Sequence, residues 1–72
     1  MKFLKDFAER LEACRKKAKL PQRKTAELLD IGFSTYRRYE KGERIPNLED
    51  AAKMAKLFHV SLDYLAGLEE KS

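Results

Sequence analysis

Apolar residues fall at helical intervals from the start of the chain. Leu4, Phe7, Leu11, Cys14 and Ala18 step by 3, 4, 3 and 4 residues, which sets them in one stripe along a helix of about four turns. Lys16, Lys17 and Lys19 crowd its C-terminal end, where cations complement the helix dipole. Leu20-Pro21 then ends the pattern, because proline biases the residue before it towards extended backbone. Past Pro21 the periodicity resumes in shorter pieces. Gln22 to Leu29 is one segment, with Ala26 and Leu29 inward; Asp30-Ile31-Gly32 is a turn; Phe33 to Glu40 is a second segment. Gly42 stands where a left-handed residue closes a helix, and Glu43-Arg44-Ile45-Pro46 links onward. Asn47 with Asp50 reads as an N-cap and a capping-box-like acid. They open a helix to about Leu57, with Leu48, Ala51, Ala52, Ala55 and Phe58 along its stripe. His59 is placed to take the left-handed conformation at its end. Ser61 caps a last short helix carrying Leu62, Leu65 and Ala66, closed by Gly67. Only five residues are Val, Ile or Thr, too few for a sheet of any size. The pattern predicts an all-α unit of five helices, a single domain over residues 1–72 with its core in 7–67 and a polar tail at 68–72.

Composition narrows what such a unit can do. A chain of 72 residues has room for one small core and buries about 60% of its unfolded surface, so a deep substrate cavity is hard to build. There is one His and one Cys, and the three Gly are isolated, which leaves no phosphate loop, no metal-ligand spacing and no cofactor site. An enzyme is not expected. Cys14 falls on the apolar stripe and reads as a small buried hydrophobe; a lone cysteine excludes an internal disulfide framework and suits a reducing cytosol. The longest apolar run is the three residues Tyr64 to Ala66, and MKFLKDFAER lacks the apolar stretch of a signal peptide. The expectation is a cytoplasmic protein that does not enter a membrane. Lys and Arg number 16 against 12 Asp and Glu, a net +4. The excess is uneven: residues 1–24 balance to +6, 25–46 to zero and 47–72 to −2. Such asymmetry suggests a polyanion partner, although lysine runs also simply solvate a helix face.

The stretch Gln22 to Arg44, QRKTAELLDIGFSTYRRYEKGER, carries the most information. Two helices of about eight residues joined by a short turn make a helix-turn-helix at residues 22–40, the motif that presents its second helix to a DNA major groove. Ala26 is small where the helices cross, and Leu29, Ile31, Tyr36 and Tyr39 point inward. At about 100° per residue, placing Tyr36 inward leaves Ser34, Arg37, Arg38 and Lys41 on the opposite face. That face is cationic and able to hydrogen-bond, as base edges and phosphates require.

From Pro21 to Gly67 the chain resembles the Cro/phage-repressor (XRE) type of helix-turn-helix domain, and the likeness covers roughly residues 7–67. It rests on Gln22 opening the second helix, on Ala26, on RYEKGERIPN at the end of the third, and on VSLDYLAG near the close. The resemblance implies a compact five-helix, lambda-repressor-like DNA-binding domain. By the same likeness Gln22 matches a phosphate-binding glutamine, while Phe33, Ser34 and Arg38 match positions that read base edges. Thr35, Lys41 and Arg44 lie where the family approaches the sugar-phosphate backbone. Arg15 and Glu40 match an ion pair tying the first helix to the end of the third, which gives Arg15 a structural role. Family members usually bind near-palindromic operators as homodimers, and Tyr64, Leu65 and Leu68 in and after the fifth helix are candidates for the dimer surface; the alternative for Tyr64 and Leu68 is that they finish the core.

Several positions depart from the family pattern. Gly32 and Pro21 replace the usual hydroxyl caps, and Asp30 stands at a common glycine, tolerable because Asp can visit left-handed geometry. Thr25 occupies a position that is aliphatic and half-buried in the family. Phe33 is apolar at a base-reading position: it either meets a thymine methyl or folds back beside Tyr36. The function these residues imply is sequence-specific double-stranded DNA binding by a transcriptional regulator, a repressor. The alternative is an antitoxin or adaptor whose main role is to bind a partner protein.

Overall fold

The computed structural model describes residues 3–68. The five helices are α1 (Phe3–Lys17), α2 (Gln22–Leu29), α3 (Phe33–Lys41), α4 (Leu48–Phe58) and α5 (Leu62–Leu65), and no strand occurs among the described residues. Apart from Leu68, the polar tail expected at 68–72 lies outside the described residues.

Each helix end has a local cause. After α1, Lys19 turns left-handed at φ 61°, and the Lys19 and Leu20 amides donate back to the Lys16 and Arg15 carbonyls at 3.0 and 3.2 Å. Pro21 precedes α2 at φ −73°, a fixed angle that suits a helix start. Its carbonyl accepts both the Thr25 amide (3.0 Å) and the Thr25 hydroxyl (2.9 Å). This second bond explains why Thr25 is fully buried rather than half-buried, since its hydroxyl is satisfied within its own helix. Asp30 closes α2 at φ 57°, and Ile31 donates to Ala26 at 3.0 Å. Gly42 ends α3 at φ 74°, the residue expected there, although the helix itself runs to Lys41 rather than Glu40. A Cβ there would sit 3.5 Å from the Leu4 carbonyl, so the chain returns across α1 at this glycine. Asn47 accepts the Asp50 amide at 2.7 Å, and Ser61 accepts the Tyr64 amide at 2.9 Å. His59 closes α4 at φ 57°.

The core is built from Phe7, Leu11, Ala26, Leu29, Tyr36, Tyr39, Met54 and Leu65. Phe7 meets Tyr39 edge-on at 6.4 Å and stacks with Phe3 at 6.1 Å. α3 lies across α1 and α2, while α5 packs on α1 and α4. Both core tyrosines reach an acceptor. Tyr36 donates to Glu40 at 2.5 Å and Tyr39 to Asp50 at 2.7 Å. Burial, helped by the bond to Asp50, pushes the Tyr39 phenol up to about 12.

Two expectations are corrected here. The inward stripe of α4 is not the one read from Leu48 and Ala52. Leu48 is 75% exposed and Ala52 is exposed, whereas Met54 is buried. The Tyr39 hydroxyl holds Asp50 against the core, and Met54 lies one turn further on the same side. Leu65, grouped with Tyr64 and Leu68 as a partner surface, is 1% exposed. A helix of four residues has one position to set into the core, and Leu65 occupies it. Tyr64 is half-buried under the Arg10 guanidinium, 4.6 Å from its ring centre. Leu68 stands 77% exposed.

Candidate nucleic-acid interface

Burying Tyr36 and Tyr39 decides what α3 shows outside. Ser34, Arg37, Arg38 and Lys41 are exposed, Thr35 is half-buried, and Arg44 is exposed in the following loop. The one acid of α3 is Glu40, and its side chain is only 3% exposed. The outer face of α3 therefore carries three cations, a hydroxyl and no accessible carboxylate.

Glu40 is turned inward by three donors. Arg15 Nε lies 2.6 Å from Oε2 and Arg15 Nη2 3.3 Å from Oε1. Gln22 Nε2 donates to Oε1 at 3.0 Å, and Tyr36 completes the set at Oε2. Arg15 Nη1 also donates to the Leu20 carbonyl at 2.8 Å, so this hub joins α1, the turn after it, α2 and α3. Burial raises the Glu40 carboxyl, but the hydrogen bonds from Arg15, Tyr36 and Gln22, with the charge of Arg15, outweigh it and hold the carboxyl below its ordinary value. The bond to Glu40 in turn raises the Arg15 guanidinium against the opposing effect of its burial. The pair is thus an ionised structural unit, with Arg15 only 12% exposed.

Gln22 belongs to the hub and to the surface at once. One amide hydrogen is committed to Glu40, which fixes the side chain at the start of α2. The other hydrogen remains able to donate outward. Next to it lies Arg23, a residue that sequence reading passed over. Its guanidinium sits 4.2 Å from the centre of the Phe33 ring, and that of Arg37 5.7 Å from the same ring. Phe33 is half-buried and packs against the core. No periodic signal links residues 23 and 33, because the contact spans the turn between two helices; only the three-dimensional crossing brings them together.

The electrostatics of the two helix starts set them apart. Among the described residues, α2 and α3 alone have no acid in the first turn; α1 has Asp6, α4 Glu49 and Asp50, and α5 Asp63. α2 instead opens with Arg23 and Lys24, and a cation at that end of the helix dipole is unfavourable by about 0.3–1 kcal/mol. No carboxylate lies within 4.0 Å of the cationic groups of Arg23, Arg37, Arg38, Lys41 or Arg44 among the described residues. An incoming anion would relieve both features.

Two short helices joined by the turn Asp30–Gly32, with the second held outward over a core-facing tyrosine pair, define a helix-turn-helix domain. The comparison with known families agrees: residues 11–65 match the helix-turn-helix family, and the chain belongs to that family, in its XRE type. It is 39% identical over 66 residues to the HTH-type transcriptional regulator ImmR of Bacillus subtilis, covering 92% of this chain and 52% of ImmR. It is 44% identical over 63 residues to the HTH-type transcriptional regulator AnsR of the same organism, covering 88% and 54% of the two chains. The cryptic phage CTXphi transcriptional repressor RstR of Vibrio cholerae matches at 36% over 59 residues, covering 82% and 53%. The chain therefore spans about half the length of the curated relatives it matches. No solved structure gives a significant match.

Proposed function

We propose that the chain is the double-stranded DNA-binding unit of a transcriptional regulator, acting as a repressor. The observation that carries this reading is the outer face of α3: three cations and a hydroxyl with no carboxylate, because Glu40 is drawn inward. The names of the relatives, regulators and a phage repressor, support it. α3 enters the major groove, where Ser34, Arg37 and Arg38 meet base edges, with Phe33 at the head of the same helix. An arginine reaching O6 and N7 of a guanine is the contact best able to discriminate sequence. Gln22, Thr35, Lys41 and Arg44 hold the backbone, and the operator is near-palindromic, bound by two copies through a surface that includes Leu68 and the exposed edge of Tyr64. The site of action is the cytoplasm of a bacterium.

Selection of bound sequences from a random duplex pool at two salt concentrations tests this directly. The expected product is a near-palindrome. A pair of chains neutralising about six to eight phosphates should lose about 10³- to 10⁴-fold in affinity between about 50 and 200 mM salt. Salt-independent binding, or no enrichment of any sequence, would end the proposal. Lys41→Ala should weaken all sequences alike and flatten the salt slope by about one unit.

A further inference from the structure

We propose that Arg23 is a DNA-backbone contact and that Phe33 serves as the platform holding it, rather than reading a base itself. The inference rests on the DNA-binding reading above. The Arg23 guanidinium stands 4.2 Å from the centre of the Phe33 ring, within stacking range. Phe33 is half-buried and packed on the core, so the ring cannot swing into a groove without loosening the packing beneath it.

The chemistry around that ring points to an anion. Arg23 and Arg37 are both drawn to it, at 4.2 and 5.7 Å, and neither has a carboxylate within 4.0 Å among the described residues. Two like charges gathered on one ring repel each other in the free protein, and a phosphodiester group taken by Arg23 relieves that repulsion while leaving Arg37 to the base edges. A planar guanidinium donates to phosphate in a bidentate fork. Holding that fork against a ring before binding reduces the side-chain entropy lost when the contact forms. The platform also links the starts of α2 and α3, so a phosphate grip at one fixes the approach of the other.

The test is a double-mutant cycle on the selected operator and on an unrelated duplex, with affinity measured across a salt series and folding followed by circular dichroism. Arg23→Ala changes an exposed side chain and should leave the fold intact. It should lower affinity about five- to tenfold near 0.1 M salt for both duplexes and flatten the salt slope by about 0.9 for each bound chain. Phe33→Leu keeps an apolar side chain and should lower affinity about two- to fivefold for both duplexes, with little further loss when Arg23 is already Ala. Arg23→Lys, which keeps the charge and loses the planar fork, should keep the salt slope and lose part of the affinity even if Phe33→Leu unfolds. The proposal is overturned if Arg23→Ala changes neither affinity nor slope while the wild type binds normally. It is equally overturned if replacing one thymine by uracil weakens the wild type and that penalty disappears in Phe33→Leu, for then the ring reads a methyl group. Absence of duplex binding by the wild type would overturn this proposal together with the functional reading it rests on; the preceding outcomes remove this proposal alone.

Discussion

Arg15 and Arg38 carry the same guanidinium into two regions that treat charge in opposite ways. Arg15 lies beneath the helix-turn-helix, 12% exposed, with its hydrogen bonds directed to Glu40 and to the Leu20 carbonyl. Arg38 lies outside the same motif, exposed and without a carboxylate neighbour among the described residues. The two regions are linked by Glu40. Were that carboxylate to face solvent, α3 would present an acid among its cations, and phosphate would be repelled there. Turned inward, it ties three helices together and leaves the outer face cationic. Net charge by segment therefore misleads: residues 1–24 balance to +6 yet supply the neutralised Arg15, while residues 25–46 balance to zero and supply the exposed face of α3.

The largest expected effect comes from breaking the buried region. Glu40→Ala leaves the Arg15 guanidinium without its counter-charge and removes the acceptor of Tyr36 and Gln22. Such a loss costs about 3–5 kcal/mol, against about 4–11 kcal/mol for a domain of this size. A large fall in the urea midpoint is expected. Replacing both partners, Arg15→Met with Glu40→Leu, should recover part of the loss, because no charge is then left buried. If Glu40→Ala behaves like an ordinary surface substitution, the hub does not hold the helices together.

Acid should erode the same region more gently. The Glu40 carboxyl is held below its ordinary value of 4.5 in the folded chain, so the unfolded chain binds more protons in that range. The stability it contributes is complete above the ordinary value and is lost as pH falls through the folded one. Urea midpoints measured from about pH 6 to about pH 3 should decline less steeply in Glu40→Gln than in the wild type. Parallel declines would show that the hydrogen bonds do not favour the ionised form.

How much of this was legible in the sequence depends on the range of each contact. Helix starts and ends follow from single residues, so Asn47, His59, Ser61 and Gly42 could be placed by their local chemistry. The five-helix order follows from them. The stripe of α4 could not be read that way. Leu48 and Ala52 fit a helical period as well as Met54 does, and the choice is made by Tyr39 reaching Asp50 from another helix. The outward face of α3 follows from one inward tyrosine, which is why Ser34, Arg37, Arg38 and Lys41 could be grouped from spacing. Arg23 on Phe33 is a contact between helices with no period to reveal it. Family likeness supplied the pairing of Arg15 with Glu40, but Tyr36 and Gln22 as further donors to the same carboxylate emerge only from the packing.

The exposed region should respond in the opposite sense. Arg38→Ala removes no contact within the fold that the structure records, and its effect on stability should stay within about 0.5 kcal/mol. On DNA the same change should relax preference at one base pair by about 1–3 kcal/mol. Comparing selected sequences for the two proteins checks this, and an unchanged preference at every position would remove Arg38 from the reading set. A shift in the urea midpoint comparable to that of Glu40→Ala would erase the division between the two regions.

Gln22 gives the smallest effect and the sharpest test, because it stands in both regions. Its side-chain amide donates to Glu40 at 3.0 Å and it opens α2, the helix proposed to approach the DNA backbone. Gln22→Ala leaves Glu40 with Arg15 and Tyr36 as donors, so stability should fall by about 0.5–1.5 kcal/mol. If the hub also aims this side chain at phosphate, affinity should fall by a similar factor for every duplex sequence, with base preference unchanged. Loss of stability with affinity intact would confine Gln22 to the fold. Loss of affinity with the urea midpoint intact would show that the Glu40 bond adds nothing to the folded state. Only the joint loss supports one side chain through which the buried pair and the exposed cationic surface act on each other.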